Sequence, residues 1–383
     1  MAGFSQDSNR SWAEIDLAAL ERNLFKIRAA LPRNIHYVAV VKADAYGHGI
    51  AQTATRLMHS GVDMFAVANV QEGESLREIG SGWPILVLSA LLPEEDPYLF
   101  HHNLIPTVST IREIERYNQK ALERNKNLSV HLKIDTGMGR LGVWHESVDS
   151  VLDALEKASS LELSGVYTHF SSAPSDPEFT EMQRNRFINA LYAIGKRFDL
   201  SKCMIHADNS ASLKSFDKSN PFTAVRIGLL QFGAPPYPDS LFAKIKTEPV
   251  LSFHSKIALV KSLPEGCPIS YGRLTTLTRP SVIAVLSAGY ADGIPMEFTN
   301  RGQVLISGKR CQVLGRVTMD QLIVDVTDLE TLSKEGDLAT FIGHQGGDDI
   351  TIAEFCDWAN SIPWECFCSI SSRVTRVYKT YRE

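Results

Sequence analysis

Lys42 closes the apolar run Val38-Ala39-Val40-Val41 and is followed within five residues by the turn Gly47-His48-Gly49. A lysine at the end of a buried strand either reaches water or is held in a pocket because an amine is wanted there. An amine that can shed its proton is a nucleophile toward carbonyl carbon. Other residues with chemical potential sit in comparable places. Lys133 and Asp135 lie at the end of "SVHLKID", His169 is next to last in "LSGVYTHF", "CMIHAD" runs on into Asn209 and Ser210, and Arg226 and Gly228 lie in "AVRIGLL". Taken singly, each has an ordinary explanation. A strand-ending lysine is usually solvated, Gly-His-Gly is usually only a turn, and a histidine or arginine is often structural. What gives them weight is a common location.

That location follows from the elements. Eight short apolar runs recur, at Tyr37–Val41, Met64–Val70, Pro84–Leu88, Leu104–Val108, Ser129–Asp135, Leu163–Phe170, Cys203–Asp208 and Ala224–Leu230. Helical spacings lie before and between them, such as Leu17-Leu20-Leu24-Ile27-Leu31, Val148-Val151-Leu152-Leu155 and Phe187-Leu191-Ile194-Phe198. The pattern predicts an α/β protein with a (β/α)8 TIM-like barrel, for which roughly 250 residues is usual. The functional groups above then share the C-terminal rim, where such barrels carry their sites. Asn209, Ser210 and the N–H groups near Gly228 fall on the loops that commonly bind phosphate. A reactive lysine beside a phosphate cradle points to a carbonyl cofactor with a phosphate tail, and pyridoxal phosphate fits. After the proline-rich stretch Gly233–Ser240 the period changes to two. Leu251, Phe253, Ile257 and Leu259 are expected on one face, and Leu322, Val324 and Val326 on another. This predicts a mostly β C-terminal domain.

The bulk properties exclude several classes. The chain has 383 residues, 44% hydrophobic and 22% charged, with a net charge of -5. There is no basic stripe for nucleic acid, and no apolar run approaches the roughly 20 residues that span a bilayer. The first residues lack the basic and apolar regions of a signal peptide, so a cytoplasmic location is expected. The six cysteines form no paired CxxC sets, so no metal is expected and the thiols are read as reduced.

The segment "AVVKADAYGHG" resembles the pyridoxal-phosphate attachment segment of alanine racemases. "HLKIDTGMGRLGV", "GVYTHFSSA", "HADNSASL", "VRIG", "ISYG", "GYADG", "GRVTMDQLIVDVT" and "RVTRVY" follow the same family pattern in order, from about Trp12 to Tyr378. The resemblance implies an N-terminal strand at 11–17 joining the β domain, a cofactor-binding barrel at 18–240 and the β domain at 241–383. It implies a homodimer whose active sites are shared between copies. It implies an isomerase that interconverts L-alanine and D-alanine and supplies D-alanine for peptidoglycan.

By the same resemblance, Lys42 holds the cofactor and is one base, and Tyr271 of "ISYG", from the partner subunit, is the other. A phenol's ordinary pKa of about 10 is high for such work. A chain through His169 and Arg226 to the pyridine nitrogen supports it. Tyr46, Asn209, Ser210, Gly228, Leu229 and Trp364 map to the phosphate and its surroundings. Arg140 and the Met319 N–H map to the substrate carboxylate, and Lys133 maps to a lysine that many members carbamylate.

Three residues depart from the pattern. Phe232 stands in place of a tyrosine, Thr318 in place of a frequent cysteine, and Trp364 in place of a tyrosine near the phosphate and the substrate side chain. Tryptophan brings only an N–H donor and more bulk, so a narrower pocket around the alanine methyl is expected. A serine or broad-specificity racemase would share most motifs. A decarboxylase of the same architecture would not be expected to carry "ISYG", "GYADG" and "VTMD" together. A non-catalytic pyridoxal-phosphate protein would lack the residues after Gly233, Tyr271 among them.

Overall fold

The computed structural model describes residues 9–173, 175–207, 221–234 and 240–380. It divides into two compact units. One comprises Leu20–Ala45 and Ile50–Thr247; the other comprises the residues up to Ala19, Tyr46–Gly49 and those from Glu248 onward.

The strands in chain order begin with β1 (Ser11–Asp16), followed by β2 (His36–Val40), β3 (Met64–Val67), β4 (Ile85–Val87), β5 (Ile105–Val108), β6 (Leu128–Asp135), β7 (Val143–Trp144), β8 (Leu161–Tyr167), β9 (Met204–His206) and β10 (Ala224–Ile227). In the first unit, eight of them lie in the parallel order β10-β2-β3-β4-β5-β6-β8-β9. Thr223, just ahead of β10, joins the two ends. Its N–H donates to the Ile205 carbonyl at 2.8 Å and its Oγ1 accepts from the Ile205 N–H at 2.9 Å. The result is the nearly closed TIM-like barrel expected from the eight runs, including the Leu104–Val108 segment.

The strands are near-continuous apolar runs because both faces are covered. Tyr37, Phe65 and Tyr167 are among the largest fully buried side chains, and burying each stabilises the barrel by about 1.5–3 kcal/mol. The helices between strands start where a side chain satisfies an otherwise orphaned N–H. Asn69 caps Val70–Ile79, Thr110 caps Ile111–Glu123 and Asp176 caps Pro177–Ile194.

The second unit is a mostly β body. Its long strand β11 (Leu251–Leu263) pairs antiparallel with β1, with β14 (Ser281–Leu286) and with β18 (Leu338–Gln345), while β1 also pairs parallel with β20 (Thr375–Lys379). Between these lie the hairpin of β12 (Pro268–Ile269) and β13 (Thr275–Thr276), then β15 (Gln303–Ile306), β16 (Lys309–Gln312), β17 (Leu322–Asp325) and β19 (Asp348–Ile350). Leu322, Val324 and Val326 are buried as the alternation requires. Leu251, Phe253 and Ile257 are buried too, but Leu259 is 45% exposed. The register of β11 on β14 shifts between Ile257 and Leu259. One extra residue there turns the following side chain to the other face, so the period-two expectation fails at Leu259.

Candidate active site

Lys42 opens a turn unlike its surroundings. Val41 still donates its N–H to the Ala66 carbonyl, as a strand residue would. Ala43, Asp44, Ala45 and Tyr46 then all take φ near +54°, between 53° and 55°. None is glycine, and left-handed backbone costs roughly 1–2 kcal/mol for each such residue. Among the bonds that hold the run are those of Ala45 N–H to the Val41 carbonyl at 2.9 Å, Ile50 N–H to Asp44 Oδ1 at 2.7 Å, and Ala43 N–H to Glu72 Oε1 at 2.8 Å.

On β6 the side chains alternate, so His131, Lys133 and Asp135 share a face. Lys133 is buried, its Nζ 5.2 Å from the centre of the Tyr167 ring. Arg226 covers the same ring at 5.4 Å, and Tyr167 stacks on His206 at 4.7 Å. Burial first, then Arg226, Arg140 and Lys42 against a smaller opposing effect of Asp135, brings the Lys133 amine down to about 7. Asp135 shapes the loop that follows. Its Oδ1 accepts the N–H groups of Gly137, Met138 and Gly139 at 2.9, 2.9 and 3.1 Å, which fixes the segment carrying the exposed Arg140. Gly142 is required where that loop returns, because a Cβ there would meet the Asp135 nitrogen at 2.7 Å with φ at +112°.

Arg226 is 4% exposed. Its guanidinium donates to His206 Nδ1 at 2.7 Å, His169 Nδ1 at 3.2 Å and the carbonyls of Thr168, His206 and Ala207. Arginine only donates, so both Nδ1 atoms must be bare and both Nε2 atoms carry the proton. His206 Nε2–H then donates to His131 Nδ1 at 3.1 Å. The histidines stay neutral. Burial, then Arg226, Lys133, Arg140 and Lys42, holds His169 down to about 3. Burial and Arg226 do the same for His131, at about 3, and push His206 well below its ordinary value. Gly165 makes room for this chain, since a Cβ there would lie 2.5 Å from the His131 ring.

Lys42, Lys133, Arg140, His169 and Arg226 therefore come together at one end of the barrel. Gly228 precedes the short turn Leu229–Phe232, in which Leu229 and Phe232 are buried. Asn209 and Ser210 lie outside the described residues. Four basic side chains gathered near Asp135 call for an anionic ligand, and a phosphate-bearing carbonyl compound together with an amino acid carboxylate is such a ligand. The donor set fits pyridoxal phosphate in that respect.

Tyr46, Tyr271, Met319 and Trp364 belong to the second unit. Tyr46 is buried, and its carbonyl accepts from His48 Nδ1–H at 2.9 Å. The Gly47 carbonyl accepts from Arg376 Nε at 3.1 Å, and the His48 ring meets Phe367 edge-on. Tyr271 stands at the tip of the β12–β13 hairpin, where Ser270, Gly272 and Arg273 all have positive φ, and it is 69% exposed. Met319, 52% exposed, lies in a tight turn closed by Thr318 N–H and Oγ1 on the Gln321 carbonyl. Trp364 sits in the first turn of helix Pro363–Ser369, started by a proline at its first position. That helix packs on Ile352–Ala359 through Cys356 and Cys366, whose Sγ atoms are 3.2 Å apart. All six cysteines are free thiols.

Tyr167, His131 and Glu72 were not singled out from the sequence. Alternation along β6 from Lys133 would have pointed to His131, and alternation along β8 from His169 to Tyr167. Glu72 left no signal beyond its place three residues after the cap Asn69.

Two family models match the chain: alanine racemase, N-terminal domain, over residues 15–236, and alanine racemase, C-terminal domain, over residues 250–378. The chain is 38% identical to an alanine racemase of Halothermothrix orenii over 371 residues, covering 96% of this chain and 97% of that protein. It superposes on the alanine racemase of Clostridium difficile 630 with a TM-score of 0.89 at 32% identity, covering 97% of this chain and 96% of the other. It superposes equally well, at 0.89 and 32% identity, on the alanine racemase of Bacillus anthracis solved with bound L-Ala-P, covering 99% and 96%.

Proposed function

The chain belongs to the alanine racemase family and is a pyridoxal-phosphate-dependent amino acid racemase, and from that premise we propose that it interconverts L-alanine and D-alanine with two bases, Lys42 and Tyr271 of the partner subunit. The observation that carries this reading is the cluster of Lys42, Lys133, Arg140 and Arg226 around a neutral His169. The bound L-Ala-P of the Bacillus anthracis relative supports alanine as the substrate.

Bound at Lys42, pyridoxal phosphate supplies an electron sink that makes the alanine Cα proton removable. Inversion needs one group to take that proton and another to return one on the opposite face. Lys42 and Tyr271 hold those two protons. His169 Nε2–H is a donor suited to the Tyr271 oxygen and favours its phenolate. Arg226 keeps its own proton; facing the ring nitrogen of the cofactor it would discourage a second positive charge there and so temper the sink and limit side reactions. Arg140 and the Met319 N–H hold the substrate carboxylate. Lys133, with its amine near neutrality, takes up carbon dioxide; the resulting anion orients Arg140. Tyr46, Gly228, Leu229, Asn209 and Ser210 would hold the phosphate, and Trp364 would narrow the space for the substrate side chain.

The active molecule is a homodimer with shared sites, since the second base comes from the other copy. It works in the cytoplasm and its D-alanine serves peptidoglycan. Among the described residues, no helix is long and apolar enough to cross a membrane. A racemisation assay over a panel of amino acids, with and without added pyridoxal phosphate, tests the reading. Alanine turned over fastest, and only with the cofactor, is the expected result. Serine turned over as fast would favour a broad-specificity racemase, and no racemisation by loaded protein would contradict the proposal.

A further inference from the structure

Four consecutive non-glycine residues after Lys42 hold φ between 53° and 55°. Left-handed backbone is strained at every residue that carries a Cβ, and here four such residues follow one another. A run of this kind relaxes unless its neighbours over-determine it. Several bonds that hold it are local, among them Ala45 to Val41, Ile50 to Asp44 and His48 to the Tyr46 carbonyl. A further bond comes from another element. Glu72 Oε1 accepts the N–H of the Lys42–Ala43 peptide at 2.8 Å, and Glu72 Oε2 accepts the Ala68 N–H at 2.7 Å.

Glu72 is itself fixed. It is the third residue of helix Val70–Ile79, and its own N–H is capped by Asn69 at 2.9 Å. One carboxylate thus ties the peptide that carries the reactive lysine to the loop after the neighbouring strand.

We propose that Glu72 is a positioning residue for the reaction: its carboxylate clamps the Lys42–Ala43 peptide and so sets the direction in which Lys42 presents its amine. This rests on Lys42 being the lysine that captures the cofactor. The clamp needs two acceptor oxygens at once. Glutamine offers one oxygen and sets an N–H₂ against the other peptide donor, while its size and helix propensity are close to those of glutamate.

The test has two readouts on Glu72→Gln and Glu72→Ala. Hydrogen exchange of the Ala43–Tyr46 amides, followed by mass spectrometry on apoprotein, reads the clamp. Losing a hydrogen bond to a charged acceptor should speed it about 10- to 100-fold. The rate at which added pyridoxal phosphate is captured on Lys42, followed by absorbance and fixed with borohydride, reads the positioning. It should fall at least about 10-fold by the same reasoning. Adding Ala43→Gly to Glu72→Gln should restore part of the capture rate, because glycine accepts positive φ without strain.

Unchanged exchange overturns the clamp. Faster exchange with capture as rapid as in the unaltered protein overturns the positioning role. If the unaltered protein itself does not capture the cofactor at Lys42, the functional reading fails and takes this proposal with it, which the control distinguishes from the other two outcomes. Should either variant melt well below the parent, the comparison is made with Glu72→Asp, whose shorter arm cannot reach both donors and is expected to behave as glutamine does.

Discussion

Lys133 should behave at neutral pH as no ordinary lysine does. Its ammonium would be buried beside Arg226 and Arg140, and burial and those charges bring its pKa from 10.5 to about 7. At pH 7 about half of the Lys133 amine is then neutral, against roughly one part in 3,000 for an unperturbed lysine. Carbon dioxide adds only to the neutral amine, forming a carbamate and releasing a proton. The usable amine is therefore enriched about a thousandfold.

With carbon-13 bicarbonate, a carbamate resonance should grow as the pH rises through about 7. It should be absent from Lys133→Arg, whose guanidinium stays charged. The linkage runs in the same direction. Between about 7 and 10.5 the unfolded chain keeps a proton that the folded chain has shed, so this residue's contribution to stability rises with pH across that window and is flat below it. A resonance that appears only near pH 10, or one that survives in Lys133→Arg, would refute the reasoning.

Other consequences concern the second unit. Tyr271→Phe should slow racemisation by at least about 100-fold, the usual contribution of a positioned acid or base. Solvent deuterium uptake at Cα should persist from one enantiomer only. Mixed dimers of Lys42→Ala and Tyr271→Phe should recover activity that neither variant has, because one site in each mixed dimer carries both bases; verified mixed dimers without activity would count against shared sites. Trp364→Tyr should change the ratio of alanine to serine turnover and the affinity for pyridoxal phosphate. If both stay as they were, Trp364 only packs.

The barrel was legible because its strands are buried on both faces and leave compact apolar runs. Even Ile105–Val108, four residues long, stood out between helical patterns. The gathering of Lys42, Lys133, His169 and Arg226 was legible for a related reason: strand ends of a barrel share one rim. Arg140 came from its motif. What was not legible depends on local geometry without a local signal. Nothing in Ala43-Asp44-Ala45-Tyr46 announces left-handed backbone, since glycine, the usual marker, is missing from those four positions. Glu72 reaches Ala43 only because two parallel strands are neighbours. Tyr167 matters because cations approach its ring from β6 and β10, which no spacing along β8 encodes. Leu259 was misplaced because a single-residue register shift leaves the apolar alternation in the sequence intact.

The central claim is that Lys42 is the lysine on which the cofactor is held. Protein loaded with pyridoxal phosphate, reduced with borohydride, digested and mapped by mass spectrometry tests it most directly. The account predicts one reduced pyridoxyl adduct per chain, on the peptide containing Lys42, and its loss together with racemisation in Lys42→Ala. An adduct on another lysine, or full racemisation by Lys42→Ala, would contradict it.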